Sequence, residues 1–159
     1  MLTTEIRKSQ SGVMLLEALI AILIFSLGVL GVVGMQASAI AASRDAKYRT
    51  DAALLANEII GQMWVSDRRG TALETNFEGT GGTGGTSYTA WNTDVASKLP
   101  GAIANPSEVA VVTGAIAPGA NPGTNVFAPH QVTVRVRWMS PGDGSAHQYV
   151  VQTLITQAE

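Results

Sequence analysis

At 159 residues the chain has room for one domain with a modest core. Charged residues make up only 14% of it, well below the ~25% usual for soluble domains, and the positive mean hydropathy of +0.20 is concentrated in the first quarter. Those values exclude a polytopic transporter and describe one membrane segment joined to a water-facing part. A net charge of -2 gives no electrostatic reason for nucleic acid or an anionic surface to be the main partner, and the absence of cysteine excludes disulfides, cysteine-based zinc sites and thiol catalysis.

Residues 1–12 are polar, with Arg7 and Lys8 set against Glu5, and an apolar run begins directly after Gly12. Residues 18–43 carry no charge, and a helix of that length, at ~1.5 Å per residue, spans the ~30 Å hydrocarbon core of a bilayer. A secretory signal peptide has a shorter apolar stretch, roughly 7 to 15 residues, before a small-residue cleavage site. The triplet Ala37-Ser38-Ala39 resembles such a site, but the run is too long and no turn separates it from the helix that follows. Basic residues flank both ends, Arg7 and Lys8 on one side and Arg44, Lys47 and Arg49 on the other, so the positive-inside rule leaves orientation undecided.

Glu17 interrupts the apolar run four positions after Val13. A carboxylate at the centre of a membrane helix costs on the order of 2.5 to 3.5 kcal/mol and less near the interface, so two readings stand. One is an interfacial acid that stays wet, the other a functional intramembrane group. Further along, Gly28, Gly31 and Gly34 recur every third residue and lie broadly on one side of a helix, where helices can approach closely.

The sequence Gly12-Val13-Met14-Leu15-Leu16-Glu17, with a short basic leader before it and a long apolar helix after it, resembles the class III signal of type IV pilins and pseudopilins. The resemblance implies that a prepilin peptidase cuts between Gly12 and Val13, that the new amine on Val13 is methylated, and that the apolar segment stays on the mature protein. It also implies that Glu17 is the assembly glutamate and that the C-terminus faces outward. Val13 stands where the family most often has phenylalanine. Physically, the amine created at Val13 is a cation at the membrane edge, and Glu17 of a neighbouring subunit is a counter-charge that would fix axial register. The segment 28–36, glycine-rich and without the helix-breaking proline that major pilins often carry at the position of Gly34, is similar to the PilV group of minor pilins.

Beyond the membrane segment, Ala52, Leu55, Ala56, Ile59, Ile60 and Met63 recur at helical spacing among Asp51, Asn57, Glu58 and Gln62. This pattern predicts an amphipathic continuation, with Asp45 and Arg49 placed for an i,i+4 pair, ending at Arg68, Arg69 and a Gly70 cap. Residues 71–87 read as a loop. Within it, Gly79 to Gly84 formally matches the dinucleotide fingerprint G-x-G-x-x-G, but with no strand before it and no convincing helix opening from its last glycine it reads as a flexible Gly/Thr linker. Tyr88, Trp91, Val95 and Leu99 then fall at helical spacing and predict a short packing helix. Residues 108–116 are β-rich, 118–123 are Gly and Pro, and Val132, Val134, Val136 and Trp138 alternate with Thr133, Arg135 and Arg137 as the cleanest strand. Turn chemistry over 140–144 leads to a partner strand over 147–156, giving a C-terminal antiparallel hairpin.

The expected fold class is α+β: the type IV pilin fold, a long N-terminal helix, transmembrane in one half and amphipathic in the other, packed on a small C-terminal antiparallel sheet of three or four strands. Its divisions are a leader at 1–12, a filament-core helix at 13–43, its amphipathic continuation at 44–70, a Gly-rich connection with a short helix and strand at 71–125, and the hairpin at 126–159. The chemistry-bearing residue types give little else. His130 and His147 are the only histidines and read as structural or surface groups, no catalytic or metal-ligand motif is present, and no cofactor is expected. Arg135 and Arg137 share one strand face, where cross-strand pairing competes with a role in contacting DNA phosphates or a partner. Trp64, Trp91 and Trp138 occupy apolar positions that predict core packing.

The resemblance therefore implies a non-enzymatic minor pilin of type IV pilus biogenesis, active in the initiation or priming complex and present at low level in the fibre. Its implied partners are other minor and major pilins, the prepilin peptidase, the inner-membrane assembly machinery and membrane lipid, with no small-molecule substrate. The implied location is the inner membrane, single-pass with a periplasmic C-terminus, and the pilus on the cell surface of a Gram-negative bacterium. The alternatives are a minor pseudopilin of type II secretion, a pilus-tip subunit for adhesion or DNA binding, and an enzyme on a signal anchor.

Overall fold

A computed structural model of the chain describes residues 11–69, 71–114 and 129–156. The expected leader, apart from its last two residues, lies outside them, as do the Gly70 cap and the Gly/Pro stretch at 118–123. The first element is a single helix, α1 (Ser11–Val65), and the chain divides into two compact units, Met1–Arg44 and Asp45–Glu159.

In the first unit α1 is apolar all round, and its long run of Leu, Ile, Val and Ala contains no proline. The hydroxyl of Ser26 donates to the carbonyl of Ile22 at 2.7 Å, so this one polar side chain is satisfied within the helix.

The second unit contains the remaining 21 residues of α1, then α2 (Ala72–Phe77), β1 (Gly79–Thr80), β2 (Thr83–Gly84), α3 (Thr86–Lys98), β3 (Glu108–Val112), β4 (His130–Trp138) and β5 (His147–Ile155). The five strands form one antiparallel sheet in the order β2-β1-β3-β4-β5. Period-two alternation places Val132, Val134, Val136 and Trp138 of β4 and Val109 and Val111 of β3 on the covered face. The stripe Ala52, Leu55, Ala56, Ile59 and Met63 of α1 is buried with them in one core, to which α2 adds Leu73 and Phe77 and α3 adds Tyr88, Trp91 and Val95. The second unit is thus α+β, with the C-terminal part of the long helix α1 packed on a small antiparallel sheet.

Several local expectations are corrected. α1 ends at Val65, before the arginines, because Ser66 folds back on the last turn: its N–H and its hydroxyl both donate to the carbonyl of Met63. The Asp67 carboxylate then accepts the N–H of Arg69 at 3.0 Å, a side-chain-closed turn just past the helix end. Residues 71–87 are not a loop. α2, the β1–β2 hairpin and the first residues of α3 occupy them, so a helix does open just past Gly84, with Gly85 as its N-cap, and the supposed linker glycines do structural work. Gly81 and Gly82 take φ of +63° and +85° in a two-residue turn of the kind that suits a right-twisted hairpin. At Gly79 a Cβ would lie 2.2 Å from the Tyr88 ring, so only glycine lets that strand lie against the aromatic. Finally, Trp64 is 41% exposed, its ring covered by the Arg68 guanidinium at 5.4 Å instead of the core.

Candidate functional site

The feature that separates this chain from a soluble domain is the surface of α1 in the first unit. Every large apolar side chain from Val13 through Met35 is exposed, Val13 at 68% and Phe25 at 72%. Removing such a side chain from water contributes roughly 1.5–3 kcal/mol, so the row left bare in water costs tens of kcal/mol and requires apolar surroundings. The segment is long and apolar enough to cross a membrane, with an 18-residue mean hydropathy of 2.7.

Glu17 is the one acid in this stretch, one helical turn from Val13 and on the same side of α1, since residues i and i+4 stack along a helix. Among the described residues its carboxylate has no hydrogen-bond or ion-pair partner. A counter-charge for it must come from outside this part of the chain. Gly28, Gly31 and Gly34 have nothing within 4 Å of a built Cβ, so no described contact of this chain requires glycine at those positions.

The other residues singled out from the sequence lie in the second unit. Arg135 and Arg137 both bind Glu108, at 2.6 and 3.1 Å, and Arg137 also donates to the Pro106 carbonyl. The pairing is cross-strand, Glu108 standing opposite Arg135 in the β3–β4 register. Both guanidiniums share one carboxylate oxygen, which is the cross-strand pairing expected of this strand face.

His130 is fully buried, its Nε2 2.9 Å from the Arg68 carbonyl and its Nδ1 3.3 Å from the Thr113 hydroxyl. The carbonyl can only accept, so Nε2 carries a proton and donates it there, while Nδ1 faces the Thr113 hydroxyl. The ring ties the turn after α1 to β3 and β4. His147 is half-exposed, stacked on Trp138 with ring centroids 5.7 Å apart, and hydrogen-bonded to Asp143 at 2.7 Å.

Three placements were not read from the sequence. Glu108 was not singled out as the partner of the two arginines, although its place in a β-rich run gave a cue. The expected Asp45–Arg49 pair does not form; the Asp45 carboxylate lies with Asp143 and His147. The spacing Asp143-x-x-x-His147 was visible across the turn, but nothing in the sequence linked it to Asp45.

Comparison with protein-family models, with curated proteins and with solved structures finds no match to this chain.

Proposed function

We propose that this chain is a minor pilin of type IV pilus biogenesis, held in a membrane through α1 and drawn from it into an initiation complex or a fibre. The observation that carries the reading is the conjunction at the start of α1: a polar leader ending at Gly12, an apolar helix exposed on all sides, and a single unpartnered acid one turn after Val13. A lipid bilayer and the apolar helices of neighbouring subunits are chemically equivalent coverings for that surface, so transfer from one to the other costs little hydrophobic free energy.

In this reading a prepilin peptidase cuts between Gly12 and Val13 and the Val13 amine is methylated. That amine meets Glu17 of an adjacent subunit, each charge compensating the other where water is scarce, and the pair sets the axial step between subunits. Gly28, Gly31 and Gly34 let neighbouring helices approach. The second unit, with the pilin fold, faces the periplasm and then the outside of the fibre, and its sheet and helices act as a packing module. A minor pseudopilin of type II secretion uses the same processing and helix chemistry and remains the nearest alternative.

The test is intact-mass and N-terminal analysis of the chain produced with and without a prepilin peptidase. The expected result is a mature chain beginning at N-methylated Val13 only when the peptidase is present. An uncut chain in a peptidase-competent cell, or a mature N-terminus at Ile40, overturns the proposal.

A further inference from the structure

Asp143 stands on the turn that joins β4 to β5 and His147 opens β5, with His147 Nε2 hydrogen-bonded to the Asp143 carboxylate at 2.7 Å. Asp45, at the start of the second unit, brings a carboxylate from α1 to the same place, and one donor atom from each of the three lies within 4.8 Å of the others. Asp45 forgoes the i,i+4 pair with Arg49 that its own helix offers, and among the described residues it has no hydrogen bond or ion pair. Two carboxylates brought together from distant segments repel each other, a repulsion that a bound cation relieves. The imidazole plane is set by the core: its ring stacks at 22° on Trp138, which is 3% exposed and stands directly opposite His147 in the β4–β5 register.

We propose that Asp45, Asp143 and His147 form a site for a divalent transition-metal ion of the Zn2+ type. One imidazole nitrogen and two carboxylate oxygens are a donor set for a four-coordinate ion, the fourth position being left to water or to a side chain from another molecule. Ca2+ seeks six to eight oxygens and Mg2+ a regular octahedron that keeps its waters, so neither suits a site with an imidazole and only two carboxylates. Loading needs the Nε2 lone pair of His147, so the hydrogen bond to Asp143 is given up, and the imidazole binds neutral with its remaining proton on Nδ1. The bound ion fastens the start of the amphipathic half of α1 to the β4–β5 turn. The inference does not depend on the pilin reading.

The experiment titrates Zn2+ into the untagged full-length chain in detergent against a chelating dye, with a thermal melt of the same samples. The expected result is one ion per chain and a raised melting temperature. Asp45→Asn keeps the size of an exposed side chain while removing its charge, and it should weaken binding by about 10-fold or more, as should His147→Ala. Circular dichroism checks the fold of both variants; if His147→Ala loses its fold with its stack on Trp138, Asp45→Asn decides alone. Absence of saturable Zn2+ binding, unchanged affinity in Asp45→Asn, or displacement of the ion by an equal concentration of Ca2+ would each overturn the proposal.

Discussion

The indole Nε1 of Trp91 donates a hydrogen bond to the backbone carbonyl of Leu55 across 2.9 Å inside the core. It couples α3 to the buried stripe of α1 by a directional contact as well as by packing. The carbonyl lies within a helix and keeps its intrahelical partner, so Trp91→Phe orphans no acceptor and should cost about 1 kcal/mol for the lost hydrogen bond, with a further cost for the smaller ring. Trp138 offers the contrast, because its Nε1 is buried without a partner. Trp138→Phe removes an unsatisfied group and should destabilise less than Trp91→Phe, whereas Trp138→Ala should cost roughly 3–5 kcal/mol through the cavity it leaves. A piece covering residues 44–159 contains the whole core cluster and should be soluble and folded. Urea denaturation of that piece and its variants measures all three values, and an equal or larger loss for Trp138→Phe would contradict the assignment of the two indoles.

Tyr88 supplies a pH signature. Its ring is fully buried, its hydroxyl donates to the Ser107 carbonyl at 2.6 Å, and it accepts the N–H of Gly82 at 3.3 Å. Burial pushes the phenol above its ordinary value of 10.0, only partly offset by the Gly82 hydrogen bond to its oxygen. A raised folded-state value means that the folded chain holds this proton after the unfolded chain has released it. Stability from this group is therefore complete below pH 10.0 and is lost as pH climbs through the unfolded and then the folded value. Lys98 is also shifted upward, by its hydrogen bond to Asp94, so the informative quantity is the difference between wild type and Tyr88→Phe. The variant should be less stable at neutral pH, having lost two hydrogen bonds, yet fall less steeply above pH 10.0. Parallel alkaline profiles of the urea midpoint would show that Tyr88 does not titrate as the burial of its ring requires.

Periodicity made the larger elements legible. The stripe from Ala52 to Met63 and the alternation from Val132 to Trp138 each repeat over several turns or strand pairs, so the face they bury follows from spacing alone. The hairpin at Gly79–Gly84 was hidden because its composition reads as low complexity. What specifies it is a positive φ at Gly81 and Gly82 and the close passage of Gly79 along Tyr88, a residue nine positions away. The end of α1 was misplaced for a similar reason, since Ser66 and Asp67 stop the helix with side-chain hydrogen bonds that propensity does not register. His130 gave no sign of its place between Arg68 and Thr113, because its partners are a carbonyl and a hydroxyl from segments far apart in the sequence. The acid at Glu17 was legible for the opposite reason: it needs no fold to stand out, only an apolar run around it.

Glu17 gives the sharpest test of how the first unit is used. If its role were only to stay wet at a membrane edge, replacing it with alanine would make the segment more apolar and its insertion more favourable, by as much as about 2.5 to 3.5 kcal/mol if the site lay at full depth. Nothing would then be lost. If it is the counter-charge for a neighbour's Val13 amine, the same substitution leaves that amine unpaired, a loss on the order of 3–5 kcal/mol for a buried pair broken on one side. A factor of ten in an equilibrium corresponds to about 1.4 kcal/mol, so even a partly buried pair should reduce incorporation at least tenfold. The expected phenotype of Glu17→Ala is therefore normal membrane insertion and normal cleavage after Gly12, with incorporation into pili or the priming complex sharply reduced. Quantitative immunoblotting of sheared fibres against the membrane pool reads both at once. Glu17→Asp, which keeps the charge but shortens the reach, should recover part of the loss. Wild-type incorporation of the alanine variant would remove the pairing argument and leave Glu17 as an interfacial acid.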